Sequence, residues 1–301
     1  MNKASVLKCL EKAKQIASAA PSSIGVDYGH VYRRGERLSR LGIRFHVPEK
    51  IDAARLPDHL LLPKKIDGLR CDVIERVYEP HTDSSDLFNP LISGILIGNY
   101  QRSTSGTLGF FARDASGRIG LVSNWHVLAY ASDWQTSEEI QQPRNSRNVA
   151  SPQIMREPLT GYDIGFAVLH EQIACSNEAL NLNLSITGVE KPKANMLVVK
   201  YGAATGRTEG IVESQQGGTI PVVYSRLNNQ TYFLNAFCIK AAPGSDQVIS
   251  DNGDSGSAWI NPETGKIVGI HVGGRKGEPN VAVAHCVSDV LLQLGLRIIT
   301  A

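Results

Sequence analysis

The chain has few cysteines, and none of them lie at CxxC spacing. The five are scattered over 301 residues, at Cys9, Cys71, Cys175, Cys238 and Cys286. An odd and scattered set predicts neither a disulfide framework nor a zinc site. The glycine-containing segment at 205–210 lacks the Gly-Lys-Ser/Thr ending of a phosphate-binding loop. We therefore expect reduced thiols, no metal ion and no cofactor.

An excess of charge of one sign is also missing, as are long apolar runs. Lys and Arg number 31 and Asp and Glu number 29, so no overall field favours nucleic acid or an anionic membrane surface. No run approaches the roughly 18 apolar residues that a membrane span needs. Charged residues interrupt the N-terminal segment where a signal peptide would need an apolar stretch. These absences predict a cytoplasmic protein without a membrane span.

The first part of the chain predicts a helix followed by a small unit. Residues 1–21 have the periodicity of an amphipathic helix. Its apolar face consists of Val6, Leu10, Ala13 and Ala17. Residues 22–88 predict an α/β unit, in which GHVY and IRFHV flank the turn-forming RRGER as two paired strands and CDVIERVY adds a third. The polar segment EPHTDSSDLFNP is expected to link this unit to the rest of the chain, residues 89–301.

From about residue 91 the pattern changes to many short strands. Runs of β-branched and aromatic residues, such as GILIGNY, TLGFFARD and IVGIHVGG, alternate with turn residues. Turn signals about every 8–12 residues are typical of an all-β sandwich or barrel, and roughly two hundred residues of this pattern predict two barrels. A C-terminal helix is expected to pack on the second barrel, with Ser288 as N-cap and Asp289 in its first turn. The apolar residues at helical spacing are Val290, Leu291, Leu294 and Ile298.

The segment Asp251-Asn-Gly-Asp-Ser-Gly-Ser257 contains a candidate nucleophile, Ser255. Gly253 allows a tight turn, so the amides of Gly253 and Ser255 can point at one spot beside the hydroxyl. Such a pair of amides is the arrangement that an oxyanion hole needs. A serine hydroxyl is a poor nucleophile unless a base removes its proton, so the chain must also supply a histidine.

His126, in LVSNWHVL, is the candidate general base, because a strand followed by a short helical turn can hold it at the edge of a barrel. Asp163, in GYDIGFAV, is the candidate acid that fixes the tautomer of the histidine and stabilises its cationic form. The order His, Asp, Ser is that of the chymotrypsin fold and differs from the orders in subtilisins and α/β-hydrolases. The three residues predict a catalytic triad.

Residues 91–301, with NWHV, DIGFAV and GDSGS in this order, resemble the trypsin-like serine peptidases. The whole chain is also similar to bacterial trypsin-like proteins that have a small N-terminal unit; TSGTLGFFARDASGRIGLVSNWHVLA and KYGAATGRTEGIV are among the matching segments. The resemblance implies two six-stranded antiparallel β-barrels with a C-terminal helix, preceded by the α/β unit. It implies hydrolysis of a protein or peptide substrate through an acyl-enzyme. Some members of the second group act in bacterial immunity by cutting a dedicated partner protein, and analogy extends that role to this chain.

The chain departs from the secreted members of the family in two ways. It lacks their disulfide pairs and an internal Arg-Ile-Val-Gly-Gly activation site. In the secreted enzymes a freed N-terminus pairs with the aspartate that matches Asp254. Asp254 must therefore have another partner, for which a nearby arginine or backbone amides are candidates. We expect activation by binding or conformational change, and the N-terminal unit is a candidate site for an activating partner.

The residues that match the primary pocket of the family predict its specificity. Cleavage after Lys or Arg would need an acid at the position of Ile249. Ser250 and His271 resemble the pair in glutamyl endopeptidases and in viral proteases that cut after Gln, and both can donate hydrogen bonds to side-chain oxygens. Gly273 and Gly274 would leave the pocket mouth open to a substrate strand. We expect Glu or Gln at P1; a small or apolar P1 residue, and a purely structural His271, stay open as alternatives.

Two other functions stay open as alternatives to a peptidase. The fold could serve as a non-catalytic peptide-binding module, although all three triad candidates are present. An esterase or lipase is disfavoured, because the residue order differs and the chain has no GxSxG elbow.

Overall fold

The computed structural model describes most of the chain. The described residues are 3–19, 24–33, 36–57, 60–75, 78–79, 87–143, 146–214, 218–242, 247–275 and 277–300. Outside them lie residues 1–2 and 20–21 of the predicted helix, short stretches of the predicted unit at 22–88, and residues 80–86 of the predicted linker.

Three α-helices and 24 strands occur in the described residues. The helices are α1 (Lys3–Ser18), α2 (Trp125–Leu128) and α3 (Val287–Leu294). The first strands are β1 (Gly25–Arg33), β2 (Glu36–Val47), β3 (Lys65–Ile66), β4 (Leu69–Glu75), β5 (Tyr78–Glu79), β6 (Leu91–Ser93), β7 (Leu96–Asn99), β8 (Thr104–Thr107), β9 (Phe110–Arg113), β10 (Ile119–Ser123), β11 (Ile140–Gln142), β12 (Arg147–Arg156) and β13 (Ile164–Leu169). The remaining strands are β14 (Cys175–Ala179), β15 (Leu184–Ser185), β16 (Gly188–Val189), β17 (Leu197–Gly202), β18 (Gly206–Val212), β19 (Gly218–Tyr224), β20 (Gln230–Ala241), β21 (Ala258–Ile260), β22 (Lys266–Arg275), β23 (Glu278–Cys286) and β24 (Arg297–Ile298). Short 3-10 helices span Ala53–Arg55, Tyr100–Arg102, Pro158–Thr160 and Ser225–Leu227. Within the described part of the chain, no helix combines the length and apolar character that crossing a bilayer requires.

Helix α1 packs on the hairpin of β1 and β2, as its apolar periodicity predicts. Leu10, Ala13 and Ala17 are buried against strand residues that include Phe45. The predicted pairing of β1 with β2 is confirmed and is antiparallel, and β4 adds to β2 in parallel. Burial of one leucine side chain contributes about 2 kcal/mol, so loss of this helix face would destabilise the N-terminal unit.

The first barrel contains six strands. The sheet runs in the order β9, β10, β13, β12, β11, β7, β8, with β24 on its edge. Leu108, between β8 and β9, donates its amide to the carbonyl of Ile95 at 2.8 Å. Strands β8 and β9 therefore act as one bent strand that closes the ring. Leu121, Trp125 and Ala167 are buried in its core.

The second barrel also contains six strands. Their order is β21, β17, β18, β20, β23, β22, and pairing of β21 with β22 closes the ring. Val198, Ile239 and Trp259 are buried in its core. The predicted double barrel is confirmed.

Helix α3 is shorter than its apolar pattern predicts. Cys286, and not Ser288, holds the N-cap position, and Gly295 ends the helix in the left-handed region, with φ 65°. Glycine adopts this C-terminal geometry most readily. Ile298, predicted on the helix, instead lies in β24, which pairs with β9 of the first barrel.

Helix α3 packs against both barrels and not only the second. Val287 and Val290 belong to one buried cluster with Phe110 of the first barrel and Ile270 of the second. This cluster fixes the relative position of the two barrels.

Strand β19 joins the N-terminal unit to the second barrel. It lies outside the barrel ring and forms a hairpin with the first part of β20. It pairs antiparallel with β1 at Thr219 and Val26, and parallel with β5 at Val222 and Tyr78. The sheet of the N-terminal unit and that of the second barrel are therefore continuous.

Candidate active site

His126 lies in α2, directly after β10, and is held against the start of β13. Asn124 donates its side-chain amide to the main-chain carbonyl of Asp163 at 2.7 Å. The amide of His126 donates to Asp163 Oδ1 at 3.0 Å, and Nδ1 donates to Oδ2 at 2.5 Å. A carboxylate only accepts hydrogen bonds, so Nδ1 carries the hydrogen. The orientation of the imidazole and its Nδ1–H are thereby fixed.

Asp163 is fully buried and accepts a third hydrogen bond, from the hydroxyl of Tyr224 to Oδ2 at 2.6 Å. Its own amide donates to Nε2 of His285 at 3.0 Å, and Nδ1 of His285 donates to the carbonyl of Asn235 at 2.8 Å. Burial alone would raise the pKa of Asp163, but the neighbouring His126 and the donated hydrogen bonds hold it below its ordinary value. Asp163 is therefore ionised when the imidazole becomes cationic.

Ser255 lies in the loop before β21, and this loop is anchored to the first barrel. The amide of Thr107 donates to the carbonyl of Ser255 at 2.7 Å, and its hydroxyl donates to the carbonyl of Gly253 at 2.5 Å. Gly253 has φ 120°, which a residue with a side chain rarely adopts. Since Thr107 directly precedes the bend between β8 and β9, the loop of Ser255 is tied to the barrel that carries His126.

The hydroxyl of Ser255 donates to the carbonyl of Val272 at 3.0 Å. No hydrogen bond from the described residues reaches Nε2 of His126. The described arrangement thus has an assembled His126–Asp163 pair, with the hydroxyl of Ser255 directed at β22. A rotation of the Ser255 side chain is needed before the imidazole can accept its proton.

The partner of Asp254 is Lys200, a residue that the sequence did not single out. Nζ of Lys200 lies 2.8 Å from Asp254 Oδ2, and both side chains are fully buried. The amides of Ala204 and Thr205 donate to Oδ1 at 3.3 and 3.0 Å, and the hydroxyl of Thr205 donates to Oδ2 at 2.7 Å. Backbone amides were expected correctly; the cation is a lysine and not an arginine. Burial alone would raise the pKa of Asp254, but Lys200 and the other donors lower it to about 2.

The predicted pocket residues Ser250 and His271 are in contact. The Ser250 hydroxyl lies 3.2 Å from Nε2 of His271, and both residues are buried. Trp259 donates its indole N–H to Nδ1 of His271 at 3.3 Å. An indole can only donate, so the hydrogen of His271 is on Nε2. A side chain at Gly274 would overlap Ser250, which keeps this side of the pocket narrow.

The edge of β22 beside the pocket is paired with the N-terminal unit. Gly274 pairs with Glu79 and Arg275 pairs with Tyr78, antiparallel, so β5 lies along β22. Gly273 and Gly274 pair with β23 on the barrel side. The edge that Gly274 was expected to leave open is therefore taken by the chain itself.

One group of three possible metal ligands occurs among the described residues, away from the candidate triad. Asp27, His46 and Cys238 are buried, with their ligand atoms within 4.8 Å of one another. Arg44 donates from two nitrogens to the Asp27 carboxylate, so this carboxylate already has a cationic partner. The group therefore fits a buried ion-pair network better than a metal site.

Comparisons with known proteins agree with the double-barrel fold. The trypsin family model matches residues 116–291. A Nocardiopsis protease is 20% identical, with a TM-score of 0.53 over 69% of this chain and 98% of its own. A glutamic acid-specific serine protease that uses a histidine triad in substrate binding is 17% identical, with a TM-score of 0.55 over 69% of this chain and 100% of its own. A Cellulomonas bogoriensis chymotrypsin is 18% identical, with a TM-score of 0.53 over 71% of this chain and 100% of its own.

At these identities the solved structures are similar in fold alone. A search of curated proteins finds no match. The family match extends over more than half of the chain, from the turn before β10 into α3. Two closed six-stranded barrels and this match lead to one conclusion: the chain belongs to the trypsin family.

Proposed function

We propose that the chain is a serine endopeptidase in which Ser255 is the nucleophile, His126 the general base and Asp163 the residue that orients the base. The observation that carries the proposal is the 2.5 Å hydrogen bond between His126 Nδ1 and the buried Asp163 carboxylate. This bond keeps the hydrogen on Nδ1, so Nε2 has a lone pair for a proton. The loop of Ser255 is fixed to the same barrel through Thr107.

The reaction begins when Ser255 Oγ turns from the carbonyl of Val272 and transfers its proton to Nε2 of His126. The oxygen attacks the scissile carbonyl carbon, and the C–N bond of the tetrahedral intermediate breaks as the imidazolium protonates the amine. An acyl-enzyme ester on Ser255 remains. Water then attacks the ester with His126 again as base, which releases the acid and restores the hydroxyl.

The amides of Gly253 and Ser255 are the proposed donors to the oxyanion. The φ of Gly253 and the hydrogen bond from Thr107 to its carbonyl hold this turn in one conformation. The buried pair of Lys200 and Asp254 also supports this turn. Loss of one oxyanion donor typically costs about 10²- to 10³-fold in rate.

Ser250 and His271 are proposed to select Glu or Gln at P1. His271 presents Nε2–H towards the Ser250 hydroxyl, and the two groups can donate to a side-chain carbonyl or carboxylate. The approach of Gly274 to Ser250 favours the alternative, a small P1 residue, unless Ser250 moves on binding. A peptide library cut mainly after Ala or Leu would decide for that alternative.

The substrate is proposed to be a protein or peptide that replaces β5 on β22. In the trypsin fold a substrate adds as a strand beside the pocket, and β5 already pairs with Gly274 there. Together with the orientation of the Ser255 hydroxyl, this supports activation by binding or conformational change. The N-terminal unit, which carries β5, is the proposed site for an activating partner. We further propose a cytoplasmic location and, by analogy, a role in bacterial immunity.

Labelling with a fluorophosphonate tests the proposal directly. The wild-type chain should be labelled on Ser255, and Ser255→Ala and His126→Ala should not. Peptides should be cleaved by the wild type and not by Ser255→Ala. Binding of peptides with no labelling and no cleavage would identify a non-catalytic peptide-binding module. Mapping of new protein termini in cells, with Ser255→Ala as control, would identify the substrate and show whether it belongs to a defence system.

A further inference from the structure

Among the described residues two side chains donate to the Asp163 carboxylate, and one of them has no role in the proposed proton transfer. Oδ2 accepts from His126 Nδ1 at 2.5 Å and from the Tyr224 hydroxyl at 2.6 Å. Asp163 and Tyr224 are both fully buried. A buried carboxylate that keeps its charge needs several donors, and hydrogen bonds to charged groups are stronger than neutral ones.

Tyr224 is suited to donate and not to ionise. Burial, and then the charge of Asp163, raise its pKa well above the ordinary value. Its ring meets that of His126 edge to face, with the ring centroids 6.1 Å apart. Tyr224 therefore contacts both members of the pair, the carboxylate through its hydroxyl and the imidazole through its ring.

Tyr224 is the last residue of β19, the strand that joins the second barrel to the N-terminal unit. The amide of Val26 in β1 donates to the hydroxyl of Thr219 at 3.3 Å. A Cβ on Gly25 would overlap the ring of Pro221 and would lie 2.5 Å from the carbonyl of Thr219. Strand β1 therefore packs against β19 without space for a side chain.

Buried polar and charged groups hold the N-terminal unit in this place. Arg44 of β2 is bonded to Asp27 of β1, and its Nη1 lies 3.9 Å from Oε2 of Glu213, next to the end of β18. His30 Nε2 lies 3.1 Å from the side-chain oxygen of Asn195. Separation of the unit from the second barrel would expose these groups or leave them buried without their partners, which is strongly unfavourable.

We infer that Tyr224 is a positioning residue for the His126–Asp163 pair, and that the N-terminal unit supports catalysis by holding β19. The inference deepens the proposed function and rests on it. It assigns to residues 24–75 a role in the geometry of the active site, in addition to any part in recognising a partner.

His285 and Tyr130 also lie beside the pair and can ionise, and neither competes with Tyr224 for Asp163 Oδ2. His285 accepts the Asp163 amide, and burial lowers its pKa. Tyr130 has its ring centroid 5.7 Å from that of His126, and burial raises its pKa. Both are neutral around pH 7, so changes in the pH profile can be assigned to the pair itself.

Tyr224→Phe tests the positioning role. The kcat for a peptide should fall about 10- to 100-fold, with little change in KM. The acid limb of the kcat/KM profile should move to higher pH, because Asp163 then interacts more strongly with cationic His126. The matched control is Tyr232→Phe, which removes a hydroxyl that bonds only to the exposed Gln230 side chain among the described residues. An unchanged kcat and pH profile in Tyr224→Phe would overturn the inference.

A nuclear magnetic resonance readout separates this inference from the proposed function. The low-field Nδ1–H proton of His126 should shift in Tyr224→Phe and not in Tyr232→Phe, whether or not peptides are cleaved. No fluorophosphonate labelling of the wild type, together with this shift, would reject the peptidase and retain the positioning role. An unshifted proton would reject the positioning role even in an active enzyme.

Gly25→Ala tests the coupling to the N-terminal unit. It should displace β1 from β19, lower kcat, and reproduce the pH shift of Tyr224→Phe in part. In the double variant the two losses should not multiply, because both act through the same hydroxyl. Gly42→Ala is the control, since its Cβ would lie 2.5 Å from the Arg70 carbonyl, between β2 and β4. If the losses in the double variant multiply, the unit acts through stability alone. The same follows if Gly42→Ala lowers kcat as much as Gly25→Ala at the same free energy of unfolding.

Discussion

Lys200 and Asp254 form a fully buried ion pair, with Nζ 2.8 Å from Oδ2, directly beside the candidate nucleophile. Asp254 precedes Ser255, so the pair fixes the turn that presents the hydroxyl and the proposed oxyanion amides. The ammonium that stabilises this turn comes from β17 of the second barrel and needs no cleavage of the chain. The turn is therefore held by a residue that is present as soon as the barrel folds.

Replacement of Lys200 by Met should destabilise the chain by about 3–5 kcal/mol, because the Asp254 carboxylate is left buried without its cation. Labelling of Ser255 by a fluorophosphonate should slow at a temperature where the variant is still folded. Addition of Asp254→Asn should recover part of the stability, since the uncompensated charge is then removed. The control is Lys266→Met on the exposed end of β22. Urea unfolding with no difference between Lys200→Met and Lys266→Met would contradict this role.

Asp163→Asn should lower kcat by about 10³- to 10⁴-fold and leave KM close to that of the wild type. The asparagine amide can donate to Nδ1 of His126, which would move the imidazole hydrogen to Nε2 and remove the base. Peptide cleavage and fluorophosphonate labelling should fall together. If Asp163→Asn weakens peptide binding as much as it lowers kcat, Asp163 has a structural role.

Trp259→Phe should alter the choice between Gln and Glu at P1. In the wild type the indole N–H of Trp259 donates to Nδ1 of His271. A proton on Nδ1 would point at this donor. The neutral form of the imidazole is therefore preferred, and it should favour Gln over Glu. The Asp254 carboxylate acts against this preference, because it interacts favourably with a positive charge on His271. Phenylalanine cannot donate at this position, so cleavage after Glu should improve relative to cleavage after Gln. A Gln to Glu ratio of kcat/KM that is the same in both proteins at all pH values would contradict this assignment.

The triad candidates could be found from the sequence because each is encoded by its immediate neighbours. Gly253 sets the turn at Ser255, and a strand that runs into a one-turn helix sets the position of His126. The hydroxyl of Tyr224 and the ammonium of Lys200 could not be found in this way. They reach Asp163 and Asp254 from 61 and 54 residues away, and only the closed second barrel brings them there.

The ends of elements were predicted less well than their existence. The apolar repeat continues past Gly295 to Ile298, so it predicted a longer α3. Gly295 itself was the local signal for the end, because glycine favours the left-handed C-cap. The pairing of β5 with Gly274 had no such signal, since a strand of two residues carries little periodicity of its own.

Glu213 should make stability depend on pH. Burial raises its pKa to about 8, and the positive charge of Lys240 offsets this only in part. Between about pH 4.5 and 8 the folded chain then keeps a proton that the unfolded chain releases, so stability should fall as pH rises through this range. Glu213→Gln should reduce the pH dependence of the unfolding free energy. Glu209→Gln, in β18 beside Arg207, should not. If the unfolding free energy changes with pH equally in Glu213→Gln and in the wild type, Glu213 is ionised in the folded state.

Glu79→Pro should increase the activity of the resting protein. Strand β5 pairs with β22 at Gly274 and with β19 at Val222, and proline removes an N–H and is poorly tolerated within a paired strand. If β5 competes with substrate for the edge of β22, the loss of one or two hydrogen bonds of about 1 kcal/mol each should raise kcat/KM roughly 5- to 30-fold.

The KM should fall more than kcat rises, because β5 and the peptide compete for the same edge of β22. Labelling by a small fluorophosphonate, which does not need that edge, should change less than cleavage of an extended peptide. A variant with unchanged KM for extended peptides would show that β5 does not limit access to the site.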